Sequence, residues 1–347
     1  MTLRIHEARD LTEHLPRLEY YVGRGELVPL SRHPAWLRVL ERGLGHAPYC
    51  VEVTEDGKTR GLLLLAYVRS LLFGRFLVSL PYLNYGGVLA DDDQTAGLLL
   101  DEAVRLAERL SVRYLELRHE RPVEHPALTE RLSSKVHMRL ALPATPGQLW
   151  DRIPGKARNQ VRKGQKSGLT VAWGGEELLP EFYDVFSRNM RDLGTPVYGR
   201  GLFAATLRTF PGRAELCVVR AEGVPAAAAL LLHGWGVTEV PSASALRRFN
   251  PSCANMLMYW HLLERAVQRG QQVFDFGRST RESNTYRFKT QWGAEPAPAE
   301  WQYCLRRGAV GDMRPESPRY RRFVRIWQWL PVALTRLLGP RIVRGIP

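Results

Sequence analysis

The chain has 347 residues, of which 45% are hydrophobic and 24% are charged, and this composition excludes a disordered protein. Its formal net charge of +14 predicts affinity for polyanions such as RNA, anionic lipid or phosphorylated substrates. The longest apolar runs, 62–68 and 226–232, have strand length and fall far short of the ~20 residues of a membrane-spanning helix.

Two parts of the sequence repeat one order of predicted elements. Residues 48–70 predict strand, turn and strand, and residues 95–118 predict a helix followed by a strand. Residues 214–236 and 253–279 show the same order. In both helices the apolar residues recur at i, i+3, i+4 and i+7, the pattern of a helix that lies on a sheet. The repeat predicts an α/β (α+β) protein built by internal duplication, with two mixed sheets and packed helices.

Residues 142–150, which contain two prolines and a glycine, separate the two copies and mark a boundary region. We predict an N-terminal domain over 1–145, a C-terminal domain over 146–307 and a basic amphipathic tail over 308–347. A length of 347 residues agrees with two medium domains, since a single core seldom grows so large.

Residues 156–166 predict a short helix with five basic residues and no acidic one, ended by Gly168. Only Ala157 and Val161 are available for burial, and like charges at helical spacing repel one another. A solvated helix face is one interpretation, but such faces usually mix both signs, so we favour binding of phosphate groups. The candidate residues are Lys156, Arg158, Asn159, Arg162 and Lys163.

The densest run of reactive side chains is FDFGRSTRESNTYRFKTQWG, residues 274–293. Its Asp-Phe-Gly is also found in protein kinases, but the sequence lacks the Gly-rich loop, strand lysine and His-Arg-Asp loop that a kinase requires. Asp275 lies on the strand face opposite Phe274 and Phe276 and is predicted to be at the C-terminal end of its strand, where α/β sheets usually place ligands. We predict that Asp275 acts as a base or orients an amine; a structural carboxylate, paired with Arg278 or capping the next segment, is an equal alternative.

Four stretches in this order, RNQVRKGQKSGL, RDLGTPVYG, ANMLMYW and FDFGRSTRESNTYRFKTQWGAEP, resemble the FemAB-like aminoacyl and acyl transferases. The resemblance covers roughly residues 30–305 and is strongest to the branch associated with bacterial exopolysaccharide and exosortase (PEP-CTERM) gene clusters. It implies two tandem GNAT-like domains. It also implies transfer of an aminoacyl or acyl group to an amine of a phosphorylated or lipid-linked sugar or peptide of the cell envelope.

The resemblance implies that no cofactor is bound permanently and that the acyl donor is aminoacyl-tRNA or acyl-CoA. GNAT enzymes that use CoA have a glycine-rich pyrophosphate loop, whereas the corresponding stretch here, RRFNPSCAN, has no glycine. The donor therefore stays open. A catalytically silent scaffold that binds RNA or anionic membrane is the alternative function.

The resemblance also implies a catalytic Phe-Lys pair, which matches Phe288 and Lys289. We predict that the Lys289 ammonium stabilises the oxyanion of the transfer reaction, with an exposed helix lysine as the alternative. Phe288 and Trp292, one helical turn apart, either wall the pocket or belong to the core. Further candidate substrate contacts are Tyr198, Asn255, Arg278 and Tyr286. We expect no metal, because neither the histidines nor the four cysteines have ligand spacing.

The C-terminal tail combines ten arginines between 306 and 344 with apolar residues at helical spacing. We predict that its segment 319–344, kinked at Pro331, lies in the headgroup plane of an anionic membrane, with docking on the protein's own domains as the alternative. The first residues lack the apolar stretch of a signal peptide. We therefore expect a cytoplasmic protein that associates peripherally with the inner face of the membrane; the oligomeric state is left open.

Overall fold

A computed structural model describes residues 1–71, 73–307 and 318–346, without the side chains of 318–322. The strands are β1 Thr2–Glu7, β2 Ala47–Glu55, β3 Lys58–Ser70, β4 Gly74–Val78, β5 Leu89–Ala90, β6 Tyr114–His119, β7 Glu130–Leu132, β8 Lys135–Ala141, β9 Leu169–Gly174, β10 Ala214–Ala221, β11 Val224–His233, β12 Val237–Ala245, β13 Val273–Thr280, β14 Glu295–Pro298 and β15 Glu300–Leu305. The helices are α1 Leu11–Val22, α2 Trp36–Leu44, α3 Asp93–Arg109, α4 Pro146–Arg152, α5 Gly155–Lys166, α6 Leu179–Asp192, α7 Arg200–Thr209, α8 Ala254–Gln268, α9 Asn284–Thr290, α10 Pro318–Trp329 and α11 Val332–Val343.

The strands form two mixed sheets, as the repeat predicts. The first sheet has the order β1-β2-β3-β4-β6-β15-β7, with β5 paired to β3, and the second has the order β14-β8-β13-β12-β11-β10-β9. In each sheet a hairpin leads through a further strand to a parallel pair, β4 with β6 and β12 with β13. The two halves therefore share one topology, and the predicted fold class is confirmed.

The sheets do not divide the chain at the predicted boundaries. Strand β8 precedes residue 145 but pairs with β13 of the second sheet, and β15 precedes residue 307 but pairs with β6 of the first. The physical reason is that β6 and β13 would otherwise be sheet edges with unpaired backbone groups. Each half covers the other's edge with one strand, so the halves are interlocked.

The two sheets enclose a shared layer of helices. Helices α1, α2, α6 and α7 pack between them in one apolar core, while α3 covers the outer face of the first sheet and α5 and α8 cover that of the second. In β3, Leu62 and Leu64 face the shared core whereas Leu63 and Leu65 face α3. Strand β3 is apolar on both faces because both faces are covered.

The C-terminal helices α10 and α11 dock on α6. Trp327 is 2% exposed, and Arg336 donates to Asp184 Oδ1 at 2.5 Å and to Ser187 Oγ at 2.8 Å. The predicted break at Pro331 lies between the two helices. Docking on the protein's own domain is thus what the structure shows for this segment; residues 308–317 of the predicted tail lie outside the described residues. None of the described helices has both the length and the apolar character that crossing a bilayer requires.

Candidate active site

A cavity opens where β12 and β13 separate. The two strands pair only from Val237 to Glu239 and from Val273 to Asp275. Beyond a register shift after Asp275, β13 continues along β8 while β12 continues along β11. The gap between them is a cavity of ≈ 220 Å³. Its lining residues are Asn84, Val240, Pro241, Ala243, Tyr259, Phe276, Gly277, Arg278 and Lys289.

The corresponding gap in the first half is filled by a side chain. There Arg118 donates to Glu116 Oε1 at 2.7 Å and to the Leu83 carbonyl at 2.6 Å. In the repeat, the last paired residue Glu116 corresponds to Asp275, so Arg118 corresponds to Gly277. Gly277 has φ +78°, and a Cβ built on it would lie 3.1 Å from Asn84 Nδ2. The absence of a side chain at Gly277 keeps the second gap open.

Lys289, on α9, forms part of the cavity wall. It is buried, and its Nζ donates to the carbonyl oxygens of Gly277 at 3.0 Å and Arg278 at 3.2 Å. Burial lowers the pKa of Lys289 to about 8, against the opposing charge of Asp275. Two of its three ammonium protons are taken by the carbonyls, which leaves the third for a ligand. The alternative of an exposed helix lysine is excluded.

The Asp275 carboxylate is hydrogen-bonded to three groups and does not line the cavity. It accepts hydrogen bonds from the Tyr85 hydroxyl, from Arg139 Nε at 3.2 Å and from the Gly277 amide at 2.6 Å. The expected pairing with Arg278 is wrong, because the Arg278 guanidinium lies over the Trp301 ring instead. Strand β13 also continues well past Asp275, which is therefore not at the carboxyl end of the strand as predicted. These contacts are those of a structural carboxylate.

A buried polar network connects Asp275 to the first half. Arg139 donates to Glu120 at 2.5 Å, and Arg32 donates to the same carboxylate at 2.6 Å. Beside it, Glu239 accepts from both the amide and the hydroxyl of Ser31, and burial raises the pKa of Glu239 to about 7. The network holds the first half against the sheet strands that frame the cavity.

The aromatic pair predicted to wall the pocket lies behind it. Phe288 packs edge-on against Tyr259, with ring centroids 4.8 Å apart, and Trp292 is 1% exposed in the same outer core. Tyr259 lines the cavity in their place. The core alternative is therefore correct for Phe288 and Trp292. Asn255 and Tyr286 are half-buried and do not line the cavity.

Tyr198 lines a separate apolar pocket of ≈ 60 Å³ in the shared core, which meets the cavity at Pro241. The segment 79–88 of the first half contributes Tyr82 to this pocket and Asn84 to the cavity. Leu80 and Tyr82 have φ values of 52° and 70°, a conformation that is strained for residues with side chains. The shape of segment 79–88 therefore places side chains of the first half in the apolar pocket and in the cavity.

The basic helix α5 lies on α8. Among the described residues none of its basic side chains forms an ion pair, and Arg162 stacks on Trp150 at 5.4 Å. Its buried Gly164 contacts the start of α8, where a Cβ would lie 3.0 Å from the Leu257 Cβ. Cys253, before α8, takes φ 57°, and no side chain caps the helix. Gly164, near the C-terminal end of α5, thus lies beside the N-terminus of α8, where backbone amides favour anions.

Residues 155–290 match the family model described as acetyltransferase (GNAT) domain. Over these residues the second half is similar to a GNAT domain. This match includes α5, the cavity strands and Lys289. Among curated proteins, none matches the chain.

Solved structures share the fold of the whole chain. The crystal structure of FemX is 15% identical, with a TM-score of 0.63 over 88% of this chain and 98% of that one. A tandem GNAT protein from the clavulanic acid biosynthesis pathway is 13% identical, with a TM-score of 0.56 over 87% and 97%. The C-terminal domain of a putative lysylphosphatidylglycerol synthetase from Agrobacterium fabrum is 13% identical, with a TM-score of 0.55 over 85% and 93%. At these identities the similarity concerns the fold.

Residues outside the matched range 155–290 also contribute to the candidate site. Asn84, Tyr85 and Arg139 come from outside the matched residues, and sequence reasoning missed all three. Tyr85 is 190 positions from its partner Asp275, so no local spacing connects them. The one available signal was the repeat itself, in which Arg118 corresponds to a glycine in the second copy.

Proposed function

We propose that the protein is an N-acyltransferase that moves an aminoacyl or acyl group, from aminoacyl-tRNA or acyl-CoA, to an amine of a cell-envelope or exopolysaccharide precursor. The observation that carries the proposal is the buried Lys289 ammonium at the wall of the cavity between β12 and β13 of the GNAT domain. One structural neighbour is named a putative lysylphosphatidylglycerol synthetase. That name describes an aminoacyl group joined to a lipid hydroxyl, so it agrees with aminoacyl transfer but does not bear on the choice of an amine as acceptor.

The chemistry follows from the groups around the cavity. The acceptor amine attacks the acyl carbonyl, a C–N bond forms, and the ester C–O or thioester C–S bond of the donor breaks. The negative charge that develops on the carbonyl oxygen receives the third proton of Lys289 as a hydrogen bond. No carboxylate is among the described residues that line the cavity. The amine therefore enters in its neutral form, and the proton it loses passes to the leaving oxygen or sulfur.

Native mass spectrometry of the purified protein tests which donor it takes. We expect a complex with acetyl-CoA or with charged tRNA when each is added separately. Binding of neither donor would contradict the proposal.

Reversing two charges on α5 should weaken donor binding. Lys156 and Lys163 are exposed, so Lys156→Glu with Lys163→Glu removes phosphate attraction without disturbing packing. We expect donor affinity to fall ~10-fold or more at low salt, and its dependence on salt to become shallower. The matched control is Arg4→Glu with Lys58→Glu, which makes the same charge change on exposed first-half positions. Equal affinity and salt dependence in the two double variants would show that α5 is only a solvated surface.

The docked tail presents an apolar outer face, and we propose that this face contacts anionic lipid. Trp329 is 88% exposed and Ile326 63% exposed, and Leu334, Leu337 and Leu338 are also exposed. Arg325 and Arg341 are exposed on the same two helices. Aromatic and aliphatic groups beside arginines suit the headgroup region, where each basic residue adds ~1 kcal/mol on anionic lipid.

The serine variant Ile326→Ser with Trp329→Ser should lose membrane binding. We expect the wild type to float with vesicles of phosphatidylcholine and phosphatidylglycerol, and the variant to stay in solution. As a control, Tyr20→Ser with Leu71→Ser removes two large hydrophobic side chains elsewhere that are at least as exposed, and this variant should float like the wild type. If the two double variants float equally, the tail is not the membrane contact.

A further inference from the structure

Arg278 is a cation that forms no ion pair with any residue the structure describes. Its guanidinium lies over the Trp301 ring, 3.3 Å from the centroid. It makes no hydrogen bond or ion pair with any described residue, and the side chain is half-buried. The neighbouring Arg118 lies over the same ring at 4.1 Å, but its own guanidinium is paired with Glu116.

This arrangement is unfavourable for the protein alone. Burial, together with the positive charge of Arg118, lowers the pKa of Arg278 to about 9. A guanidinium has five N–H donors and no acceptor, and holding this half-buried cation beside a second cation, Arg118, costs free energy. Stacking on Trp301 compensates only part of this cost. An anion that accepts hydrogen bonds from Arg278 would offset the remaining cost.

The position of Arg278 indicates which substrate would supply the anion. Its carbonyl accepts from Lys289 Nζ at 3.2 Å, so the side chain starts at the cavity wall. From there it reaches β15 and β6 of the first sheet, where Trp301 and Arg118 lie. The basic helix α5 lies on the opposite, outer face of the second sheet. Donor phosphates bound to α5, as proposed above, would therefore lie on the opposite face of the second sheet from Arg278.

We propose that Arg278 binds a carboxylate or phosphate group of the acceptor, close to the amine that reacts. The identification of the bound molecule as the acceptor rests on the proposed function, whereas the existence of an anion site at Arg278 does not. Planar, bidentate pairing with carboxylate or phosphate is what a guanidinium does best. The acceptor would thus be an amine that carries a negative charge nearby, such as an amino acid or a phosphorylated amino sugar.

Thermal unfolding at constant ionic strength tests the site. The Arg278 and Arg118 substitutions are made in the Lys156→Glu, Lys163→Glu variant, here called the background protein. In this protein anion binding to α5 should contribute little to the measured stability. In chloride, Arg278→Met should raise the unfolding temperature by ~2 °C, since a half-buried cation that Arg118 repels is removed. Arg118→Met should lower it, because Glu116 and the Leu83 carbonyl lose their donor. Inorganic phosphate and acetate, as separate probes, distinguish the two anion classes.

The background protein should be stabilised by at least one of the two probes, and Arg278→Met should abolish that response. Arg278→Lys should restore part of it. If Arg278→Met is destabilising to the same extent as Arg118→Met, or if no probe acts differently on the background and on Arg278→Met, the proposal is overturned. The outcome is independent of transfer activity: anion binding without transfer contradicts only the proposed function, and transfer without an anion response contradicts only this site.

Discussion

Replacing Lys289 with methionine should lower the rate of acyl transfer ~10²-fold or more while the fold is kept. Methionine keeps much of the apolar stem but has no ammonium to meet the oxyanion. The fold should survive, because the lysine is held only by two carbonyl oxygens and its burial as a cation is itself unfavourable. Initial rates with the identified donor measure the loss of transfer activity. Circular dichroism and thermal unfolding measure whether the fold is kept.

The matched control is Arg287→Met, which removes the same charge from an exposed position of the same helix and should keep the wild-type rate. The pH dependence adds a second readout. Since the pKa of Lys289 is lowered to about 8, the ammonium is present below that pH and is lost as the pH rises through it. The Lys289-dependent part of the rate should therefore decline above pH 8. A Lys289→Met rate within about threefold of the wild type would exclude the oxyanion role.

Replacing Asp275 with alanine should lower the free energy of unfolding by ~3 kcal/mol, the lower end of the range for breaking a buried ion pair. The change removes the acceptor of Tyr85, Arg139 and the Gly277 amide at once. Arg139 retains Glu120, which limits the loss. Urea unfolding of the wild type and the variant measures the difference.

Asp151 is exposed and has no ion pair among the described residues, so Asp151→Ala should change the unfolding free energy by less than ~0.5 kcal/mol. If Asp275→Ala unfolds like the wild type but fails to transfer, the carboxylate is a catalytic group, as the first of the two sequence interpretations holds. Loss of stability with a proportionate loss of activity supports the structural assignment.

The fold was predictable because its signals are local and occur twice. The apolar runs of β3 and β11 and the periodic helices α3 and α8 each identify their own element. The exchange of β8 and β15 was not predictable, since which sheet an edge strand joins depends on pairing with residues far away in the chain. The prolines and glycine at 142–150 mark the end of β8 rather than the end of the first sheet.

The site was predicted in part. Two residues predicted from the motif, Lys289 and Arg278, line the cavity, because they are neighbours in sequence and in space. Helical spacing placed Phe288 and Trp292 on one face of α9 and its end but carried no information on what covers that face. In the structure both side chains pack in the outer core of the second sheet. The partners of Asp275 come from the first half and from β8, beyond the reach of any local pattern.

The central claim is that the cavity beside Lys289 transfers an acyl group to an amine, and label transfer tests it most directly. The purified protein is incubated with an extract of small bacterial metabolites and with either labelled acetyl-CoA or labelled aminoacyl-tRNA. The products are then treated with hydroxylamine, which cleaves esters and thioesters but spares amides. We predict hydroxylamine-stable label with the wild type and Arg287→Met, and none with Lys289→Met. Absence of stable label from both donors, or equal label with Lys289→Met, would contradict the account.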